Sequence, residues 1–151
     1  MKIKRRRSGD YSIELYDWQR EVLAALITQL RDLLLDGSSE TLRRLYPTAY
    51  PDDAKANGAY NEIVHDQLLA SRLDAFDVLE SQLDSDLVSA DDLDQWLRAL
   101  NSVRLVVGTR LDVSEQDDPS TIEDDDPDRD LWVVYHLLSE MLALVVDALD
   151  R

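Results

Sequence analysis

An arginine stands where hydrocarbon is expected. Over residues 92–111, DLDQWLRALNSVRLVVGTRL, a helical step of roughly 100° per residue gathers Leu93, Trp96, Leu100, Val103, Val107 and Leu111 into one arc. Arg104 falls inside that arc. Leu97, Asn101, Arg104 and Gly108 form a ridge at i, i+4, i+7 and i+11. A guanidinium among apolar residues is costly unless a carboxylate or other acceptors receive it. Gly108 removes a side chain where another backbone can come close. The ridge is a structural lock or a binding site, and Arg110, nearer the helix end, is a further candidate for the same functional or structural surface.

A second arginine is placed similarly. Leu68, Leu69, Leu73, Phe76, Leu79 and Leu83 share a helical face, and Arg72 projects among them, one heptad beyond His65. The natural receivers are on the last apolar segment, residues 131–149, where His136, Ser139, Glu140 and Asp147 make one narrow polar stripe. The expectation is therefore a buried polar seam, with Arg72 and Arg104 set against Glu140 and Asp147.

Catalytic patterns are scarce. His65 and His136 are the only histidines, and neither has a second histidine at i+3 or i+4. Helical carboxylate metal sites use Glu-x-x-His twice; Glu62-Ile63-Val64-His65 offers it once. There is no HExxH, no phosphate-binding glycine loop among four glycines and no nucleophile elbow. Ser102 and Thr109 have no base nearby in sequence. The acidic run after the ridge lacks the alternating oxygens, central glycine and terminal glutamate of a calcium loop. The expectation is no enzyme, no cofactor and no metal, with a carboxylate-based metal enzyme as a distant third reading.

The elements that position these residues follow from periodicity. Residues 1–16 read as a small β-hairpin around Ser8-Gly9-Asp10. From Asp17 a helical period carries Trp18, Val22, Leu23, Leu26, Ile27, Leu30, Leu33 and Leu34 to a stop at Gly37. Residues 39–45 suggest a short second helix, and Tyr46-Pro47 and Tyr50-Pro51 an ordered connector. A third helix is expected over about 54–83. The fourth is capped by Ser89, with Asp91 and Asp92 favourable to its dipole. Residues 112–130 hold ten acids and two prolines and read as a solvated loop. The fold class is mainly α: a single-domain helical bundle of about five helices with a small N-terminal β-hairpin.

Composition bounds the rest. The 151 residues suffice for one core, and 44% are apolar. No cysteine is present, which excludes disulfides, thiolate metal sites and thiol nucleophiles. The net charge is −16, yet Lys2, Lys4, Arg5, Arg6 and Arg7 crowd the first seven positions. The other 11 basic residues face all 32 acids, a net of −21 over residues 8–151. Such a body repels phosphate backbones, so direct sequence-specific DNA binding is not expected. The stretch KIKRRR is read as a solvated edge strand rather than a nuclear-localisation or nucleic-acid patch. No secretory h-region follows the start. In residues 131–149, His136, Glu140 and Asp147 argue against a membrane span. The location expected is the cytoplasm.

WLRALNSVRLVVGTRL at 96–111, LYPTAYPDD at 45–53, the RRRSGD start and the apolar last helix together resemble an actinobacterial family long known as a domain of unknown function. Some of its members are oxidative-stress transcriptional regulators of the AosR type. The likeness spans the chain in order. Its most specific parts are Leu100, Asn101, Arg104, Leu105, Gly108, Thr109 and Arg110, with the segment 49–53. The resemblance implies a small helical, non-enzymatic regulator that contacts a stress sigma factor or RNA polymerase. Regulators of that type sense oxidation through a cysteine pair, so thiol sensing does not carry over to this chain. The competing reading is an acidic helical scaffold or adaptor unrelated to transcription. A homodimer through the last helix is compatible with either.

Overall fold

The computed structural model describes residues 1–36, 45, 54–113 and 122–151, with backbone alone for 54–57 and 59–62. The hairpin forms because apolar and polar residues alternate around a turn that only a flexible residue can close. Strands β1 (Lys2–Arg5) and β2 (Tyr11–Glu14) pair antiparallel, Ile3 opposite Ile13 and Arg5 opposite Tyr11. Between them Gly9 takes φ +96°, a region that penalises a Cβ. The Arg6 amide donates to the Asp10 carbonyl at 2.7 Å and the Gly9 amide to the Arg6 carbonyl at 3.0 Å.

Helix α1 (Asp17–Asp36) starts with a reciprocal cap. The Gln19 side chain reaches back to accept from the Tyr16 amide at 3.1 Å, satisfying an amide that the helix cannot. Helix α2 (Ala54–Ser81) follows. Helix α3 (Ala90–Arg110) is capped by Ser89, whose hydroxyl accepts from the Asp92 amide at 3.1 Å, with Asp91 and Asp92 in its first turn. Its end is a Schellman closure: Val113 donates to the Gly108 carbonyl and Asp112 to that of Thr109. Asp112 occupies the left-handed position at φ 52° where glycine is usual. Helix α4 (Arg129–Asp150) completes the described chain.

The sheet is larger than the hairpin expected from the sequence. A third strand, β3 (Leu87–Val88), pairs antiparallel with β2, so the hairpin is part of a three-stranded sheet of order β1-β2-β3. Two residues are too few to show a period. Four helices lie among the described residues; the expected short helix at 39–45 falls outside them except for Leu45, as does the connector 46–53.

Helix α3 is the hub. It packs on α1, α2 and α4, while β1 packs on α4. Trp96, Leu93, Leu100 and Ala99 are fully enclosed, meeting Ile27, Phe76, Leu79, Leu138 and Val145 in one core. Trp96 keeps its polar atom satisfied: its indole N–H donates to Gln82 Oε1 at 2.9 Å, and Gln82 Nε2 donates to Asp92 at 2.7 Å. β1 is the sheet's edge, with Lys2, Lys4 and Arg5 exposed.

Helix α4 is long and apolar enough, by length and composition, to cross a bilayer. Here it lies on the body of the domain with Leu138, Met141 and Val145 buried.

Candidate functional site

The arginines are received by serines. Arg104, half-buried on α3, donates from Nε to Ser139 Oγ on α4 at 2.8 Å. Its guanidinium carbon lies 4.8 Å from the centroid of the Tyr135 ring, a cation–π distance. Ser139 passes the bond on, its hydroxyl donating to the Tyr135 carbonyl at 2.9 Å. Arg72 on α2 repeats the arrangement one helix earlier. It donates to Ser102 Oγ on α3 at 2.8 Å and to the Leu45 carbonyl at 3.0 Å, and Ser102 donates to the Arg98 carbonyl at 2.9 Å. Each serine thus accepts from a neighbouring helix's guanidinium and spends its proton on its own helix at i−4.

The expected carboxylate seam is therefore corrected. Among the described residues no carboxylate lies in ion-pair range of Arg104. Glu140 is exposed, and Asp147 is exposed and bound to Arg151 Nη2 at 2.6 Å. The reason is angular. Ser139 faces α3, and the next residue along a helix points roughly 100° away, which turns Glu140 to water. Serine also suits the place: a neutral acceptor avoids desolvating an anion.

The remaining predicted positions are spread along α3. Asn101 is half-buried, and Gly108 is buried with its carbonyl taken by Val113. Arg110 is exposed in the last turn, where its charge suits the helix dipole. His65 lies on α2 with Nδ1 3.8 Å from Asp66; the side chain of Glu62 lies outside the described residues. Reasoning from sequence passed over Ser102, Ser139 and Tyr135 as parts of the arrangement. Ser102 is 1% exposed, yet on a helical wheel it lies roughly 140° from the centre of the Leu93–Leu111 arc, between Arg98 and Gln95, so its spacing carries no signal of burial.

Around Arg104 the surface is aromatic. Trp132 meets Tyr135 edge-on at 6.1 Å between centroids, and Tyr135 meets His136 at 6.5 Å. The Nη atoms of Arg104 have no acceptor among the described residues, yet they do not count among its buried unsatisfied atoms, so they reach solvent. The guanidinium is held at Nε and against a ring, with its outer fork open. Such a fork can take a carboxylate in two parallel hydrogen bonds.

The model of the family described as "Domain of unknown function (DUF2017)" matches residues 1–149. The chain belongs to this family. No curated protein and no solved structure matches it. The DUF2017 match covers the hairpin, the two Arg–Ser bridges and all but the last two residues, so the arrangement lies wholly within the family's unit.

The rim between α1 and α2 is built differently. Arg31 Nη2 on α1 reaches Asp77 at 2.9 Å and Glu80 at 2.7 Å on α2. The hydrogen bond to Glu80 raises the Arg31 pKa above its ordinary value, against the opposing effect of burial. At the other end of α1, Arg20 donates to the Leu83 carbonyl at 2.8 Å and pairs with Asp17 and Asp84.

Proposed function

We propose that this chain is a non-enzymatic, cytoplasmic regulator of transcription that works by contacting a stress sigma factor or RNA polymerase, without thiol redox sensing. Two things support the reading. The likeness to regulators of the AosR type supplies the process, and the open fork of Arg104 supports contact with a protein. In a chain with twice as many acids as bases, a half-buried arginine with no acid of its own is suited to a partner's carboxylate. Arginine and aromatic residues are also the types that carry most binding energy at interfaces, and Trp132, Tyr135 and His136 line this one. Asn101 and Arg110 on α3 are further candidates for the contact.

The test is affinity capture with the full chain from native cytosol. Recovery of a sigma factor or RNA polymerase supports the reading, and its loss with Arg104→Ala in a chain that still folds assigns Arg104 to the contact. Recovery dominated by protease or chaperone components would instead favour the scaffold or adaptor reading.

A further inference from the structure

Strand β1 is the edge of the sheet, and one side of its main chain is open. The Arg6 amide donates to the Asp10 carbonyl at 2.7 Å, and the Lys4 carbonyl accepts from Ser12 Oγ at 3.3 Å. Lys4 and Arg6 therefore turn their main-chain groups toward β2. Antiparallel pairing alternates bonded and unbonded positions, so the N–H and C=O of Ile3 and Arg5 point outward. Among the described residues no hydrogen-bond partner from outside β2 reaches those groups. Main-chain groups shut away from water without partners are rare and costly, which places this edge in solvent.

The edge is also basic. Lys2, Lys4 and Arg5 of β1 are exposed, as are Arg6 and Arg7 in the turn. Lys2 is answered by Glu14 at 3.7 Å. Lys4, Arg5, Arg6 and Arg7 have no carboxylate in ion-pair range among the described residues. The acid of the turn, Asp10, accepts instead from Ser8 Oγ at 2.9 Å. Charges on an edge strand block pairing with like edges, and that accounts for Lys2, Lys4 and Arg5. It does not account for Arg6 and Arg7, which stand beyond the strand where turns favour Asp, Asn, Ser and Pro.

We propose that β1 takes an acidic, extended segment of a partner protein as a fourth, antiparallel strand. Two independent features select this occupant. The outward main chain of Ile3 and Arg5 offers two donors and two acceptors, about 6.7 Å apart along the strand, to any extended chain. The cations choose which chain. A second copy would bring its own basic edge, and like charges set opposite each other across strands are unfavourable. Ile3 packs inward against the core, so the partner residue opposite it is apolar. Those opposite Lys4 and Arg5 are acids, and a further acid lies beside Arg6 and Arg7. The inference goes beyond the transcriptional reading and does not rest on it, since Arg104 lies between α3 and α4 rather than on this edge.

The test is an NMR titration of the full chain with a capped hexapeptide, Glu-Glu-Glu-Val-Thr-Val, which sets its first valine opposite Ile3. The Ile3 and Arg5 amides are expected to shift and to gain protection from hydrogen exchange. Arg5→Ala removes a charge and weakens binding about threefold. Arg5→Pro also deletes an outward donor, a change that an edge strand tolerates. It weakens binding about fivefold beyond Arg5→Ala, the worth of a hydrogen bond of about 1 kcal/mol. Lys4→Glu with Arg5→Glu abolishes binding, and the peptide Glu-Lys-Lys-Val-Thr-Val restores it. The proposal is overturned by unchanged Ile3 and Arg5 amides, by equal binding to Arg5→Pro and Arg5→Ala, or by a charge swap that fails to restore. A short DNA duplex that binds where the peptide does not would give the cations to a polyanion and overturn it as well. None of those results bears on capture of the transcription machinery, so the two readings fail separately.

Discussion

Three helix interfaces in this domain are bridged by arginine, and the rim uses the opposite chemistry to the other two. Between α1 and α2, at the rim, Arg31 takes two carboxylates. Between α2, α3 and α4, Arg72 and Arg104 take serines. The difference follows the surroundings. Asp77 and Glu80 are 68% and 42% exposed, so they stay hydrated while pairing, and such a pair is worth little but costs little. Ser102 is 1% exposed. An aspartate in its place would shed its hydration for one Coulomb contact, whereas a hydroxyl gives the guanidinium an acceptor and disposes of its own proton on a carbonyl. One residue type thus joins helices in two ways, and burial of the acceptor selects between them.

The largest expected effect tests the buried side. Ser102→Ala removes a buried acceptor of the Arg72 guanidinium and should cost about 1–3 kcal/mol, read by urea denaturation, with the loss unchanged between low and high salt. A cost that shrinks in high salt would mean the bridge is electrostatic after all. Ser139→Ala should cost less, about 1 kcal/mol, because Arg104 keeps the Tyr135 ring and its fork already reaches water. A cost as large as that of Ser102→Ala would show that the outer fork is not solvated.

The rim comes next. Arg31→Met should lower stability by about 0.5–1 kcal/mol for a two-acid cluster, and most of that difference should vanish in about 1 M salt, where the screening length is roughly 3 Å. The raised Arg31 pKa means that its contribution is fully present below the unfolded-state value and is lost only as pH rises through the folded one. The effect of the substitution should therefore be flat across neutral pH; a change between pH 6 and about 9, well below an arginine's titration range, would point to another group. Smallest is Arg98→Ala, which removes an exposed i,i+4 pair with Asp94 and should cost about 0.3–0.5 kcal/mol. If it exceeded Arg31→Met, ordering by cross-helix bridging would fail.

Much of the fold is legible in the residues. The period of Leu23, Ile27, Leu30 and Leu34 fixes α1, and all four are buried. Ser89 ahead of two aspartates marks the start of α3, and its hydroxyl makes the cap. The arcs that contain Arg72 and Arg104 are legible too, because a helix fixes side-chain direction to within a fraction of a turn. What a wheel omits is the azimuth of the neighbouring helix. Glu140 and Ser139 share one polar stripe by eye, yet one step of the helix separates an acceptor at the α3 contact from a carboxylate in water.

Local rules thus set where the helices run, where they stop and which way Arg72 and Arg104 point, since those depend on residues within one or two turns of each other. They also set the charge layout, a basic first strand against an acidic remainder, because that is written directly in the order of residues. Packing decided the rest. The pairing of two-residue β3 with β2, the choice of serine over carboxylate as acceptor and the open fork of Arg104 all depend on which residues distant in sequence come within about 3 Å, the range over which a hydrogen bond exists.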